Sequence, residues 1–112
     1  GRQVILNGIN VVSKSKEEGY IFQSGPELYE NFKNWGVNCI RFYISWDGLE
    51  PEPGVYNDKY LEEIDKKIDW AKANGIFVVL DMHQDLYGVK FSNGAPKWAT
   101  LDENAYYRSD LE

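Results

Sequence analysis

The chain has 112 residues, 43% of them apolar and 27% charged, which is the make-up of one globular domain. Twelve basic residues against eighteen acidic ones leave a net charge of −6, and that balance argues against nucleic acid as a partner. No apolar run approaches the roughly 20 residues of a membrane-spanning helix, and Cys39, the single cysteine, can build neither a disulfide framework nor a structural zinc site alone.

No basic stretch leading into an apolar one precedes the first strand-like segment, so a signal peptide is expected to be absent or already removed. That segment, Val4 to Val12, is short and β-branched and reads as a strand. Ser24-Gly25-Pro26-Glu27 has the form of a capping box with Pro in the first turn. Leu28, Phe32 and Trp35 follow at one helical face, and Gly36 stops the helix. Val37 to Ile44 is nearly continuous apolar and aromatic, as in a strand covered on both faces. Glu50-Pro51-Glu52-Pro53-Gly54 can only be a loop. A second helix opens near Asn57 or Asp58, with Leu61, Ile64, Ile68 and Ala71 as its apolar stripe. Glu62, Glu63, Lys66 and Lys67 are expected to face water as two i,i+4 pairs, Glu62–Lys66 and Glu63–Lys67. Asn74-Gly75 ends that helix, and Ile76 to Met82 is a third buried strand. The final segment, Asn104 to Leu111, is too short to assign.

Strand and helix alternate, which implies a parallel sheet with crossover helices. No glycine-rich phosphate loop follows the first strand, so part of a (β/α)8 barrel is favoured over a doubly wound nucleotide-binding sheet. A barrel typically needs about 250 residues, so the α/β fold expected here is a partial one, the first three strands with their helices. Residues 1–112 then form the N-terminal part of a single catalytic domain.

Period two places Asp81, His83 and Asp85 on one side of the third strand and Leu80, Met82 and Gln84 on the other. Both acids and the only histidine thus meet at its C-terminal end, where barrels build active sites. A merely solvated strand end is the bland alternative. A divalent metal on D-x-H-x-D is a weaker one, because no further His or Cys completes a site. Arg41, inside the second strand, needs a partner, and Asp81 is the obvious one. That pair is either structural or sugar-facing. Trp46 and Trp98 fall in loops on the same side, where an aromatic rim stacks on sugar rings or lipid chains unless it is simply packed. Lys14 and Lys16, after the first strand, either reach substrate hydroxyls or are solvated.

Three runs narrow the choice: Gly8-Ile9-Asn10, Asn38-Cys39-Ile40-Arg41-Phe42-Tyr43-Ile44-Ser45-Trp46, and Glu50-Pro51-Glu52-Pro53-Gly54-Val55-Tyr56. With Leu80-Asp81-Met82-His83-Gln84-Asp85 and Asn93-Gly94-Ala95-Pro96-Lys97-Trp98-Ala99, the chain resembles glycoside hydrolase family 5, endoglycoceramidase-like branch. The resemblance implies a retaining enzyme that cleaves a β-glycosidic bond, the one between oligosaccharide and ceramide, without a metal or other cofactor. A family relative acting on β-glucan or mannan, or a non-catalytic fragment that only binds sugar, is the alternative. Arg41 resembles the second-strand arginine that supports the nucleophile, and His83 the third-strand histidine lining the subsite of the cleaved sugar. Asp85 and Lys14 resemble that branch's sugar-binding acid and lysine, although Lys16 stands where proline is usual. Trp98 resembles a tryptophan of the substrate rim.

The resemblance puts the acid/base glutamate in an Asn-Glu pair after the fourth strand and the nucleophile after the seventh. No Asn-Glu pair occurs in this sequence, so no catalytic residue is expected in it. Both glutamates are expected beyond Glu112. The rest of the barrel, in the same or a second chain, is then required. Without it Ile5, Cys39, Tyr43 and Val79 are expected to face no opposite wall.

Overall fold

In the computed structural model, residues 1–90 and 93–101 are described. Asn104 to Leu111 lie outside them, and so does Glu112, the position past which the catalytic pair is expected. Among the described residues three parallel strands, β1 (Gly8–Val11), β2 (Cys39–Ile44) and β3 (Phe77–Met82), form one sheet in the order β1-β2-β3. Between them come α1 (Pro26–Asn34), a single turn α2 (Trp46–Leu49) and α3 (Asp58–Ala73). Strand, helix, strand, helix, strand is the expected alternation.

Register decides which side chains meet. Asn10 pairs with Arg41, Arg41 with Val79, and Tyr43 with Asp81. Partners in a parallel pair share a face, so Asn10, Arg41, Tyr43, Asp81 and His83 lie together on one side of the sheet. Ile40, Phe42 and Ile44 take the other side. There they join Tyr29 and Phe32 of α1 and Tyr60, Ile64 and Ala71 of α3 in one buried cluster.

Both long helices stop as their glycines predict. Val37 N–H reaches back to the Phe32 carbonyl at 2.9 Å and Gly36 N–H to that of Lys33 at 3.0 Å. Ile76 and Gly75 repeat the pattern onto Ala71 and Lys72 at 2.9 and 3.1 Å. This closure requires a left-handed residue, and Gly36 and Gly75 sit at φ of 81° and 67°. Asn57 starts α3, its side chain accepting from Tyr60 N–H at 3.2 Å.

Several expectations need correction. β1 is shorter than Val4 to Val12, because Val4, Ile5 and Leu6 are exposed and no described strand pairs beyond them. No capping box forms: Gly25, not Ser24, is the N-cap of α1, and no side chain caps it. Trp35 lies just past the helix as its C-cap and is 70% exposed, so Tyr29 takes its place in the core. Trp46 belongs to α2, because Ser45 Oγ accepts from Gly48 N–H at 3.2 Å and winds a turn. Glu63 pairs with Lys66 at 2.6 Å in place of either i,i+4 pair. Lys67 is buried, its ammonium 5.1 Å from the Trp70 ring centroid, and burial pushes its pKa down.

Ile5 and Val79 are exposed as expected, but Cys39 and Tyr43 are buried. They stand on the central strand, where neighbours on both sides cover them. Tyr43 is 3% exposed, and its ring meets His83 edge-on at 5.8 Å.

Asn57→Ala removes the cap of the longest helix and should cost about 1 kcal/mol. A urea midpoint equal to that of the parent polypeptide would show that the cap contributes nothing.

Candidate functional site

At the C-terminal end of the sheet four charged side chains and one imidazole form a continuous line. Arg41 Nη2 stands 2.6 Å from Asp81 Oδ2, and His83 Nδ1 contacts the same oxygen at 2.9 Å. Arg41 Nη2 and His83 Nδ1 are themselves 3.0 Å apart. On the far side of the imidazole, Nε2 lies 2.9 Å from Asp85 Oδ1. The other oxygen of Asp85 pairs with Lys14. A single carboxylate oxygen thus holds Arg41 and His83 together, and a second carboxylate bridges His83 to Lys14.

Strand geometry explains three of these placements. Arg41 and Asp81 are inward residues of β2 and β3, and His83 follows Asp81 two residues on, with its N–H bonded to the Ile44 carbonyl at 3.2 Å. Asp85 lies past the strand and is held by a loop. Its own N–H donates to Asn93 Oδ1 at 2.9 Å, and Asn93 Nδ2 donates to its Oδ2 at 3.2 Å. Asn93 is buried. Its loop is closed by the Gly88–Ala95 bridge and turns at Gly94, where any side chain would strike the Leu86 carbonyl at 2.5 Å.

Lys14 first, then His83, holds the Asp85 carboxyl well below its ordinary 3.8, down to about 2. Asp85 is therefore an anion with acceptor capacity at any physiological pH. Tyr43 shows the opposite effect, since burial pushes its hydroxyl up. Asn10, Lys14, Arg41, Tyr43, Asp81 and His83 line a cleft of about 250 Å³.

Four of the five expected binding residues, Lys14, Arg41, His83 and Asp85, are brought together here. Trp98 is not among them. It lies in a short 3₁₀ turn (Lys97–Ala99), its indole N–H donating to the Glu50 carbonyl at 3.1 Å and its ring edge-on to Trp46 at 5.6 Å. With Lys16, Asp47, Pro51 and Pro53 it lines a separate, wider groove of about 770 Å³. Glu50 serves that rim: its carboxylate accepts from Trp46 Nε1 at 2.9 Å and Gly54 N–H at 2.8 Å, the first lowering its pKa more than the second. Lys16 is tied to Asp47 at 3.0 Å.

Asn10, Tyr43 and Asn93 are not among the site residues expected from the sequence. Period two would have placed Asn10 and Tyr43 beside Arg41. For Asn93 no local signal exists, because its partner is eight residues away across a loop.

The depressed Asp85 carboxyl has a signed consequence. A group whose pKa falls on folding stabilises the fold above its ordinary value and loses that contribution as pH drops through its folded value. The Asp85 contribution is therefore complete above about pH 4 and lost toward pH 2. Lys14→Met should flatten the acid limb of a stability–pH curve in that window. An unchanged limb would mean that the ion pair does not hold in solution.

Comparisons with known proteins identify the family and the fold to which this sheet belongs. The family model for Cellulase (glycosyl hydrolase family 5) matches residues 2–110. The chain is 38% identical over 112 residues to the endoglycoceramidase of Cyanea nozakii, covering 94% of this chain and 22% of that protein. It superimposes on endo-glycoceramidase II from Rhodococcus sp., solved as a lactosyl-enzyme intermediate, with a TM-score of 0.78 and 37% identity. That match covers 90% of this chain and 26% of the solved one. The ganglioside GM3 complex of the Rhodococcus enzyme matches with a TM-score of 0.74 at 36% identity, with the same coverage. The chain thus spans about a fifth to a quarter of the relatives it matches. Three parallel strands with their helices, aligned on these enzymes, are part of a (β/α)8 barrel, and the chain belongs to glycosyl hydrolase family 5.

Proposed function

We propose that this chain is the N-terminal part of a single catalytic domain that hydrolyses a β-glycosidic bond with retention, most like an endoglycoceramidase. It supplies part of the subsite for the sugar. The observation that carries this reading is the Lys14–Asp85–His83–Asp81–Arg41 line at the C-terminal end of the sheet. It presents fixed donors and acceptors of both signs to one cleft, as recognition of a polyhydroxylated ring requires. The Rhodococcus relative supports the substrate class, having been solved as a lactosyl-enzyme intermediate and as a ganglioside GM3 complex.

In this reading each residue has a distinct task. Asp85, ionised, accepts from sugar hydroxyls, and Lys14 donates to them. Arg41, oriented by Asp81, faces the position of a catalytic carboxylate and stabilises its charge. His83, held between two acids, lines the floor. Trp98 contributes an aromatic edge on the leaving-group side. The two glutamates that make and break the glycosyl-enzyme bond, about 5 Å apart in retaining enzymes, come from the remainder of the barrel, past Glu112. Neither Glu50 nor Glu52 takes either role: Glu50 is committed to Trp46 and Gly54, and Glu52 lies in the same Pro-bracketed loop. No metal is invoked, and among the described residues no cluster of three or more His, Cys, Asp or Glu is arranged to hold one.

The remainder has a physical role as well. Phe77, Val79, Leu80 and Met82 of the edge strand β3 are 63%, 52%, 50% and 50% exposed, on both of its faces. Parallel strands are ordinarily covered on both. The 112-residue chain alone is therefore expected to associate at low micromolar concentration and to turn over no p-nitrophenyl β-lactoside. Sedimentation as a compact monomer with a sharp, reversible thermal transition would contradict the first expectation, and steady turnover the second.

In the full polypeptide, Asp85→Ala removes charge-assisted hydrogen bonds worth about 1.5–3 kcal/mol. The expected loss in kcat/KM is about 10- to 100-fold, and His83→Ala should be at least as damaging. Wild-type kinetics for Asp85→Ala, or an unfolded protein, would remove it from the sugar site.

A further inference from the structure

Lys14 is carried on a loop, and loops do not hold a flexible side chain in register unaided. Residues 15–20 form one isolated helical turn. Glu18 N–H donates to Ser15 Oγ at 3.2 Å, and Tyr20 and Gly19 N–H return to the Ser15 and Lys16 carbonyls at 2.9 and 3.0 Å. The turn ends as α1 and α3 do, yet packs into no helix.

Its anchor is Tyr20. This is the only non-glycine residue among those described with a positive φ, 60°, a conformation a bulky side chain avoids. The ring is buried and its hydroxyl donates to Asp47 Oδ2 at 2.8 Å. Asp47 is itself buried, and the same oxygen takes Lys16 from the same turn at 3.0 Å. Beneath them Gly48 leaves the space: a Cβ there would lie 3.0 Å from the Tyr20 ring and 3.1 Å from that of Tyr60. Tyr60 in turn accepts from Ser45 N–H at 2.9 Å, which fixes the start of α2. Strain, burial, two bonds to one carboxylate oxygen and a glycine-sized gap converge on one contact.

We infer that the Tyr20–Asp47 contact is a positioning lock, fastening the β1–α1 loop to α2 so that Lys14 reaches Asp85 across the mouth of the cleft. Tyr20 and Asp47 do not themselves line the cleft; they act through Lys14. The lock rests on the geometry, while its consequence for sugar recognition rests on the role proposed above for Lys14.

The test reads the charge of Asp85 at pH 3.5 by carboxyl carbon NMR in the full polypeptide. Lys14, His83 and Asn93 are the side chains that face that carboxylate. In the parent it is expected to be almost wholly ionised. Released from Lys14 it approaches ordinary behaviour, about one-third ionised. Lys14→Met should therefore lower the ionised fraction, and Tyr20→Phe should lower it in the same direction. In a Lys14→Met background Tyr20→Phe should add nothing. Asp47→Asn, which keeps the shape of the side chain, should repeat the pattern if Tyr20→Phe fails to fold. The lock is overturned if these substitutions leave Asp85 as ionised as in the parent, or shift it equally with and without Lys14.

Kinetics supplies the second arm. Tyr20→Phe should raise KM for p-nitrophenyl β-lactoside about threefold to tenfold with kcat nearly constant. Should the NMR coupling hold while Lys14→Met leaves KM unchanged, the lock stands and the sugar-binding role of Lys14 falls.

Discussion

Alternation along β2 is the constraint on which the rest of the molecule depends. The strand is central, so its even residues, Ile40, Phe42 and Ile44, are driven against the helices, and its odd residues, Cys39, Arg41 and Tyr43, must face the other way. A guanidinium on that face needs an anion from a neighbouring strand. The register that pairs Tyr43 with Asp81 supplies one at 2.6 Å. A slip of one residue in β3 would send Leu80 and Met82 into the cleft and Asp81 under the helices. Fold and site are therefore fixed by the same register.

Once Asp81 is placed, the remaining charges follow in sequence order. His83 inherits its face and shares the oxygen of Asp81 with Arg41; Asp85 is the next anion and takes the other ring nitrogen. The result is a line with a cation at each end, Lys14 and Arg41, and two carboxylates, Asp85 and Asp81, between them on either side of His83, in which every charge has a fixed partner. Such a line is preorganised: in the role proposed above, a sugar hydroxyl entering it would meet dipoles already oriented and need not reorganise them. It is also only partly buried. The pairs themselves therefore add little to stability, and their value lies in position.

How much of this was legible in the sequence follows from range. The cluster of Asp81, His83 and Asp85 is local, since period two operates within six residues of one strand. The ends of α1 and α3 were legible for the same reason, because Gly36 and Gly75 meet the requirement of the turn they close. The capping box and the place of Trp35 were misread because each depends on where the helix frame begins and ends, and a shift of one residue moves a side chain by 100°. Lys67 was misread because its burial depends on Trp70 lying beneath it. Asn93 and Asp47 were invisible altogether, their partners being separated by a loop or by 27 residues.

The residues of the site divide by the kind of support they have. Arg41, Asp81 and His83 stand on or just past strands, and the sheet's own hydrogen bonds hold them. Lys14 and Asp85 stand on loops and have no such ladder. Each loop carries its own device instead: for Asp85, a buried asparagine bonded to both its carboxylate and its backbone; for Lys14, a capped single turn pinned through Tyr20 to Asp47. A lysine side chain carries about 2 kcal/mol of rotamer entropy, so without fixed ends the ion pair would be one state among many. The strained backbone of Tyr20, which costs about 1–3 kcal/mol, is tolerable only because burial of its ring and two bonds to Asp47 hold the turn. Of the two loops where position matters and the sheet cannot supply it, the one that carries Lys14 is held at the cost of strain, and the one that carries Asp85 by a buried asparagine.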